Sequence, residues 1–323
     1  MSTTPPTMTP TTMTHETLVQ SPGWPSATPT LSVLIPFFRD DPTCLIAILE
    51  REAAGLGGRV EIVTLDDGGG VPSLVRRTAL QVSALGAPAR LVALELNQGR
   101  ARGRNRLAAH ARARHLLFLD SDMAPDAEDF LAAYLARIDR DDPAVVFGGF
   151  SMKQASRARR FAVHRALSLR GECLPAAMRS LQPEKYVYTS NLLVRRDVFE
   201  AEAFDESFSG WGWEDVEWGM RVARRYGVVH IDNPATHLGL DPTETLAGKY
   251  EQSAQNFARV IARHPEVVKT YPSYRLALAL KRLPAVKAWR GVLKWTAVRS
   301  PAPVVARVLA LKAYRAALYA EVV

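Results

Sequence analysis

Four apolar residues run straight into two carboxylates at Leu116, Leu117, Phe118, Leu119, Asp120, Ser121, Asp122 and Met123, and this stretch constrains the 323-residue chain more than any other. A continuous apolar run bounded by polar residues suits an inner strand of a parallel sheet, covered on both faces. Ligands of open α/β sheets gather at the carboxyl ends of such strands, so Asp120 and Asp122 are expected at a rim. Side chains two apart on extended backbone point the same way, which lets both carboxylates face one divalent cation or one polar ligand. Hard oxygen ligands suit Mg²⁺ or Mn²⁺. Taken alone, the same pair serves equally well as a solvated strand end or a helix cap before Pro125.

The flanking pattern favours the sheet. Leu31 to Phe38 (LSVLIPFF) is a first strand that Pro36 brings to its end, since proline offers no ladder N–H. Helical spacing from Cys44 to Ala54 stops at Gly55, Gly57 and Gly58. Val60 to Leu65 is a second strand ending in Asp66, Asp67 and three glycines. A helix over Leu74 to Leu85, a strand from Arg90 to Leu96 ending at Asn97, and a Gly- and Arg-rich turn into a helix reaching Arg114 lead to the Asp120 strand. Such alternation predicts a mostly parallel, Rossmann-like α/β sheet flanked by helices. Further on, a helix is expected over Phe130 to Ile138, strands over Ala144 to Phe150, Tyr186 to Arg195 and Val228 to Asp232, and a helix over Met220 to Arg225. Residues 151 to 185 lack a clear period and read as a partly helical insertion over one edge.

Charge separates the two ends of the chain from this body. Residues 1–30 are rich in Thr, Pro and Ser, a composition that does not repay the entropy of ordering, and they read as a disordered tail. The domain proper is expected over 31–244 and a basic helical extension over 245–323. From Val267 to Ala320 there are eleven Lys or Arg and no Asp or Glu, so the formal charge of +8 sits in the extension on a near-neutral body. That asymmetry argues for a local anionic partner rather than for nucleic acid. LALALKRL, VKAWRGVLKW and VVARVLALKAYRAAL interleave large apolar residues with Lys and Arg, the pattern of helices lying on an anionic membrane. A solvated helical face or a helical partner contact would read the same way. No run approaches a membrane span, the amino terminus lacks a secretory layout, and two cysteines, Cys44 and Cys173, fit a reducing compartment. The expected location is cytoplasmic, peripheral at the inner face of the membrane.

Three strand ends, at Asp66/Asp67, Asn97 and Asp120/Asp122, therefore deliver polar groups to one edge of one sheet. In a nucleotide pocket Asp67 can accept the imide N–H of a base such as uracil, and Asp120 can accept from ribose hydroxyls. Arg104, at a helix start, can pair with phosphate or with the base-binding acid, and a surface arginine is the plain alternative. Glycines 68 to 70 may be read as no more than a tight turn. A second cluster, GWGWEDVE at Gly210 to Glu217, sets glycine beside tryptophan, so that Trp211 or Trp213 can offer a face to a sugar while Glu214 and Asp215 add carboxylates. Attack by a hydroxyl needs a base for its proton, and a carboxylate shielded by tryptophan has a raised pKa. Acids favoured by a helix dipole are the plain alternative, which Glu217 fits best.

The succession LSVLIPFF, VTLDDGGG, NQGRARGRN, LLFLDSDM and SNLLVRRDVF resembles that of the family 2 glycosyltransferases, which have the GT-A fold. It spans residues 31 to 240, with GGG where Gly-Ser is commoner and Gly103 where alanine is commoner. The resemblance implies a metal-dependent enzyme moving a hexosyl or N-acetylhexosaminyl group from a nucleotide sugar, expected to be a UDP-sugar, to a glycan or lipid-linked hydroxyl, with inversion. It implies a donor-binding set of Pro36, Phe37, Phe38, Asp67, Asn97, Arg104 and Asp120. GWGWED is similar to the Trp-Gly-x-Glu-Asp motif of galactosyl- and N-acetylgalactosaminyltransferases and chondroitin-type polymerases. By that likeness Asp215 is the general base and Glu214 an acceptor-binding acid beside Trp211 and Trp213. Mn²⁺ or Mg²⁺ would be held by Asp122 and by His237 of NPATHLG. Two other classes remain. A nucleotidyltransferase would want a lysine-bearing phosphate loop where Phe37, Phe38, Arg39 and Asp40 stand, and a non-catalytic lipid- or nucleic-acid-binding protein would leave Asp120, Asp122 and Asp215 without a role.

Overall fold

The computed structural model describes residues 15–282 and 286–323. Its first half alternates strand and helix: β1 (Glu16–Gln20), β2 (Leu31–Phe37), α1 (Thr43–Ala53), β3 (Val60–Asp66), α2 (Pro72–Ala84), β4 (Ala89–Leu94), α3 (Arg100–Ala109), β5 (His115–Phe118), β6 (Met123–Pro125) and α4 (Phe130–Asp141). Then come β7 (Val145–Phe147), β8 (Phe150–Ser151), α5 (Ala162–Gly171), α6 (Ala176–Arg179), β9 (Leu192–Arg195), α7 (Arg196–Ala201), α8 (Glu214–Ala223), β10 (Val228–His230) and β11 (Ala235–His237). The chain closes with α9 (Thr243–Arg263), α10 (Pro265–Val268), α11 (Pro272–Lys281), α12 (Val286–Val298) and α13 (Val304–Tyr319).

Among the described residues the large sheet has eight strands in the order β1-β4-β3-β2-β5-β9-β7-β10. Strands β4, β3, β2 and β5 run parallel, and β9 enters antiparallel between β5 and β7. The expected helix-flanked, mostly parallel sheet is thus present. Its inner strands are apolar throughout because both faces are covered. Leu31, Val33, Ile35 and Leu117 pack with α1 and α4, whereas Leu34, Leu116 and Phe118 pack with Leu107 of α3 and Trp218 of α8. Chain order reverses at β2, which has β3 on one side and β5 on the other. A crevice opens at the carboxyl ends of strands where order reverses in this way, and Phe38, Asp67 and Asp120 all stand there.

Part of the expected disordered tail is ordered. Residues before 15 lie outside the described ones, but β1 pairs antiparallel with β4, Glu16 opposite Leu94 and Gln20 opposite Arg90. Glu16 also forms an ion pair with Arg106, and Trp24 is buried between the guanidinium groups of Arg112 (3.8 Å) and Arg90 (4.3 Å). The ordering comes from a sheet edge and from cations more than 60 residues away, which composition cannot register.

Two elements differ from expectation in ways that shape the site. The Ala144–Phe150 strand breaks at Gly148 and Gly149, so β7 stays in the large sheet while β8 joins a three-stranded sheet, β6-β11-β8. A β-carbon on Gly148 would fall 2.2 Å from the Tyr134 hydroxyl, which explains the glycine. In that small sheet His237 pairs with Met123, placing it beside Asp122. The helix expected at Met220 begins six residues earlier, directly on the GWGW segment.

The carboxy-terminal part is helical as expected, but it is not an appendage to the body. Helix α13 folds back onto α5, α9, α11 and α12. Tyr319 lies against Phe257 of α9 with ring centroids 4.3 Å apart, and both join Phe208, Trp213 and Met220 in one buried cluster.

Candidate active site

Asp120 sits one residue past the wholly buried Leu119, and both its oxygens are engaged. Oδ1 accepts from Arg104 Nη2 (2.9 Å) and Oδ2 from the Ser190 hydroxyl (2.8 Å). Burial would raise its pKa, but Arg104 and Arg100 outweigh burial and hold it below the ordinary carboxylate range. Arg104 is buried rather than at the surface. Its Nη1 lies 3.5 Å from Glu214 Oε1, so one guanidinium ties the end of β5 to the start of α8.

Asp122 is more open, and its Oδ2 lies 3.3 Å from His237 Nε2. The Leu238 N–H donates to the Asp122 carbonyl (2.8 Å). A β-carbon on Gly239 would stand 1.9 Å from Asp122 Oδ2, so only glycine leaves the carboxylate its present place. Among the described residues no group of three or more His, Cys, Asp or Glu gathers at metal-ligand spacing. Asp122 and His237 are thus an open two-ligand set of carboxylate oxygen and imidazole nitrogen. Mn²⁺ or Mg²⁺ fits such a set when substrate phosphates and water complete the shell.

The GWGW segment owes its shape to left-handed backbone at Gly210, Gly212 and Trp213, with φ of 72°, 89° and 77°. Trp213 bears the cost of that conformation as a non-glycine residue. It is held by its Nε1–H, which donates to the Tyr319 hydroxyl (2.9 Å), and by its ring, 4.7 Å from that of Phe257. Asn256 donates to the Ser209 and Gly212 carbonyls, both at 2.9 Å. With 8% of its surface exposed, Trp213 is anchored in the core while part of it still lines the cavity. Trp211 is the tryptophan left to offer a face, near Tyr250.

Glu214 is 4% exposed and turned toward Arg104 and Arg100, the latter at 3.7 Å. Its expected acceptor contact gives way to a structural link, because a buried carboxylate must face its cations. Glu217 too belongs to a buried network, accepting from Arg221 and lying 3.1 Å from His264. Asp215 faces the cavity, with Oδ1 accepting from the Val216 N–H (2.8 Å). Burial and the adjacent Glu214 push its pKa up to about 7, against the pull of Arg104 and Arg100.

A cavity of about 380 Å³ gathers Asp120, Asp122, Trp211, Trp213, Glu214, Asp215 and His237 from segments more than 100 residues apart. The expected base-binding residues lie elsewhere on the same sheet edge and do not line it. Asp67 accepts from the Gln98 N–H (2.9 Å), the Gly99 N–H (3.0 Å) and Asn97 Nδ2 (2.9 Å), and burial lifts its pKa to about 6. Three bonds leave an acceptor position of the carboxylate unfilled. Asn97 spends its amide orienting Asp67. Gly103 lets α3 approach, since a β-carbon there would lie 3.3 Å from the Asp67 carboxyl carbon. Phe37 is buried in the core and drops out of the expected donor set, while Phe38 is 41% exposed, with Arg39 over its ring, and Pro36 is partly buried. Sequence reasoning gave no role to Tyr188, Ser190, Lys249, Tyr250, Arg315 and Tyr319, all on the cavity wall. Ser190 alone carried a signal, standing inside SNLLV.

The profile described as Glycosyl transferase family 2 matches residues 32–202. The chain belongs to glycosyl transferase family 2. Solved structures of GT-A glycosyltransferases share its fold. Mannosyltransferase PcManGT from Pyrobaculum calidifontis, in complex with GDP-Man and Mn²⁺, aligns with a TM-score of 0.51 and 16% identity over 91% of this chain and 87% of that one. S. aureus TarS 1–349 aligns with a TM-score of 0.50 and 15% identity over 88% and 89%. A mycobacterial protein aligns with a TM-score of 0.51 and 19% identity over 73% and 74%. No curated protein matches the sequence. The matched family segment ends before the GWGW block, so α8, α9 and α13 complete the cavity of this family 2 member from outside it.

The raised Asp215 pKa has a measurable consequence for stability. Its folded value of about 7 exceeds the ordinary aspartate value of 3.8, so the folded state holds the proton more tightly between those limits and stability falls as pH rises through them. Asp215→Asn keeps the Oδ1 acceptor and removes the charge. Its Tm is expected to exceed that of the wild type at about pH 8, with the gap closing toward about pH 4. A gap of equal size at both pH values in thermal denaturation would show that burial does not set this pKa.

Proposed function

We propose that this glycosyltransferase moves a hexosyl or N-acetylhexosaminyl group from a UDP-sugar to a hydroxyl of a glycan or lipid-linked acceptor, with inversion. The observation carrying this reading is that Asp120, Asp122, His237 and Asp215 line one cavity. The likeness to PcManGT, whose structure holds GDP-Man and Mn²⁺, supports a nucleotide-sugar donor and a divalent ion. Asp67, with an acceptor position unfilled, would receive the imide N–H of the base. Asp120, held ionised by Arg104, would receive ribose hydroxyls. Asp122 and His237 would hold Mn²⁺ or Mg²⁺, which when bound neutralises charge developing on the diphosphate.

Asp215 is the base in this reading. A carboxylate with a pKa of about 7 is a stronger base than an exposed aspartate, and a large share of it is still ionised and able to take a proton at neutral pH. It takes the acceptor proton as the hydroxyl oxygen bonds to the anomeric carbon, and the bond to the diphosphate breaks with its electron pair leaving on UDP. Trp211 offers its face to the acceptor sugar.

Asp215→Asn is expected to lower transfer by at least about a hundredfold, in line with loss of a general base, while UDP still binds in calorimetry. Asp122→Ala is expected to weaken UDP binding in the presence of Mn²⁺ and leave metal-free binding as it was. Full transfer by Asp215→Asn would remove Asp215 from the chemistry. For stereochemistry, proton NMR of the first product from an α-linked donor should show a β anomeric signal, and an α signal would overturn inversion.

We extend the proposal to peripheral attachment at the inner face of a membrane, with 31–244 as the transferase domain and 245–323 carrying the contact. Among the described residues no helix is long and apolar enough to cross a membrane. On α12, however, Trp289, Val292 and Trp295 are exposed at helical spacing, with exposed Lys287 and Arg299 close by in sequence. Val305 and Leu309 add an exposed apolar pair on α13. Such a surface fits an anionic lipid interface. Point variants suit the test, since truncation would remove Arg315 and Tyr319 from the cavity. The full chain should sediment with phosphatidylserine-containing vesicles and Trp289→Ser/Trp295→Ser should stay in the supernatant. Equal pelleting would rule this contact out.

A further inference from the structure

Four lysines or arginines line the cavity, and three have partners. Arg100 lies 3.7 Å from Glu214, Lys249 2.6 Å from Asp241, and Lys185 donates to Gln182 Oε1 at 3.3 Å. Arg315 of α13 differs. Among the described residues no carboxylate pairs with its guanidinium, and its Nε, shielded from solvent, has no hydrogen-bond acceptor. Rings surround it instead, with Tyr250, Tyr319 and Trp213 centroids at 5.2, 5.3 and 5.7 Å. Aromatic faces attract a cation from above and below its plane, and the Tyr250 hydroxyl is a neutral hydrogen-bond partner for it, but none of these groups supplies the negative charge that a guanidinium pairs with. The Tyr319 hydroxyl is already engaged by Trp213 Nε1 and by Ser253 Oγ at 2.8 Å. A half-buried guanidinium with a shielded, unbonded Nε and no anion beside it is costly to the protein alone. Its planar fork matches a carboxylate or phosphate.

The position of Arg315 indicates which part of the reaction it serves. Its ionisable neighbours are Tyr319, Tyr250 and Tyr188, and Tyr188 in turn neighbours Asp215. Asp122 and His237 are joined instead to the strands β6 and β11, where the diphosphate would be neutralised. Arg315 thus shares the cavity wall with the proposed base, its guanidinium 5.7 Å from the ring of Trp213, two residues before Asp215, and it comes from a helix beyond the segment that the family profile matches.

We propose that Arg315 is a specificity residue for the acceptor, binding an oxyanion, carboxylate or phosphate, carried by the molecule whose hydroxyl is glycosylated. This rests on the acceptor standing on the Asp215 side. Neutral acceptors of the same shape would leave Arg315 unpaired and bind less well.

The test uses the full-length protein with UDP and Mn²⁺, titrated calorimetrically with glucuronate, glucose 6-phosphate and glucose. Glucuronate and the phosphate separate the two sources of the oxyanion. The wild type is expected to bind one of the anionic probes at least about tenfold more tightly than glucose, the scale of a charge-assisted hydrogen bond. Arg315→Gln should lose that preference, and Arg315→Lys should keep part of it, which separates lost recognition from lost folding. UDP affinity should be the same in all three proteins. Absence of any anion preference in the wild type, or its survival in Arg315→Gln, overturns the proposal. A fall in UDP affinity in Arg315→Gln assigns Arg315 to the donor and overturns it as well. Failure of all three proteins to bind UDP would instead strike at the transferase reading.

Discussion

The buried guanidinium of Arg104 is the interaction on which the site depends. It lies between Asp120 at the end of β5 and Glu214 at the start of α8, elements far apart in sequence. Both carboxylates take it as a counter-ion, and a buried cation with a partner removed is strongly destabilising. Helix α3 delivers the arginine because Gly99 and Gly103 let its first turns enter close to the strand ends. Asp67 receives the N–H groups at that same helix start, so one helix organises both the base-side and the cavity-side acids.

Burial acts oppositely on two aspartates a short way apart. Asp120 has Arg104 in direct contact and stays ionised well into acid, whereas Asp215 has Glu214 as its neighbour in sequence and feels the arginines only from further off. Separating the pKa values of paired acids assigns different tasks to one residue type. Here it leaves one acid ionised at neutral pH and one that titrates near neutrality.

The carboxy-terminal helices form part of the cavity wall. Trp213 holds a left-handed backbone that glycine would adopt more readily, and the bond to Tyr319 together with the Phe257 stack keeps it there. Strain in the loop that presents Asp215 is therefore supported from α9 and α13. Helix α12, packed on α9 and α13, exposes Trp289 and Trp295, so the surface proposed to meet lipid and the wall proposed to meet acceptor belong to one helical layer.

Local patterns were enough to read the inner strands, the acids at their ends and the family. Apolar runs such as Leu116 to Leu119 demand cover on both faces, and Asp-x-Asp at a strand end follows chain geometry alone. The GWGWED block was likewise legible as a site, because glycine beside tryptophan and acid has few other uses. Which of its side chains faces the cavity was not legible, since Trp211 and Trp213 differ only in contacts with α9 and α13. The ordered segment after residue 15, the turning of Glu214 toward Arg104 and the arrival of Arg315 against Trp213 on the cavity wall are likewise long-range events. The sequence alone determined the sheet, the rim and the chemistry of its acids, because strand period and burial act over a few residues. Tertiary structure decided which charges meet which, because that depends on distances between segments a hundred or more residues apart.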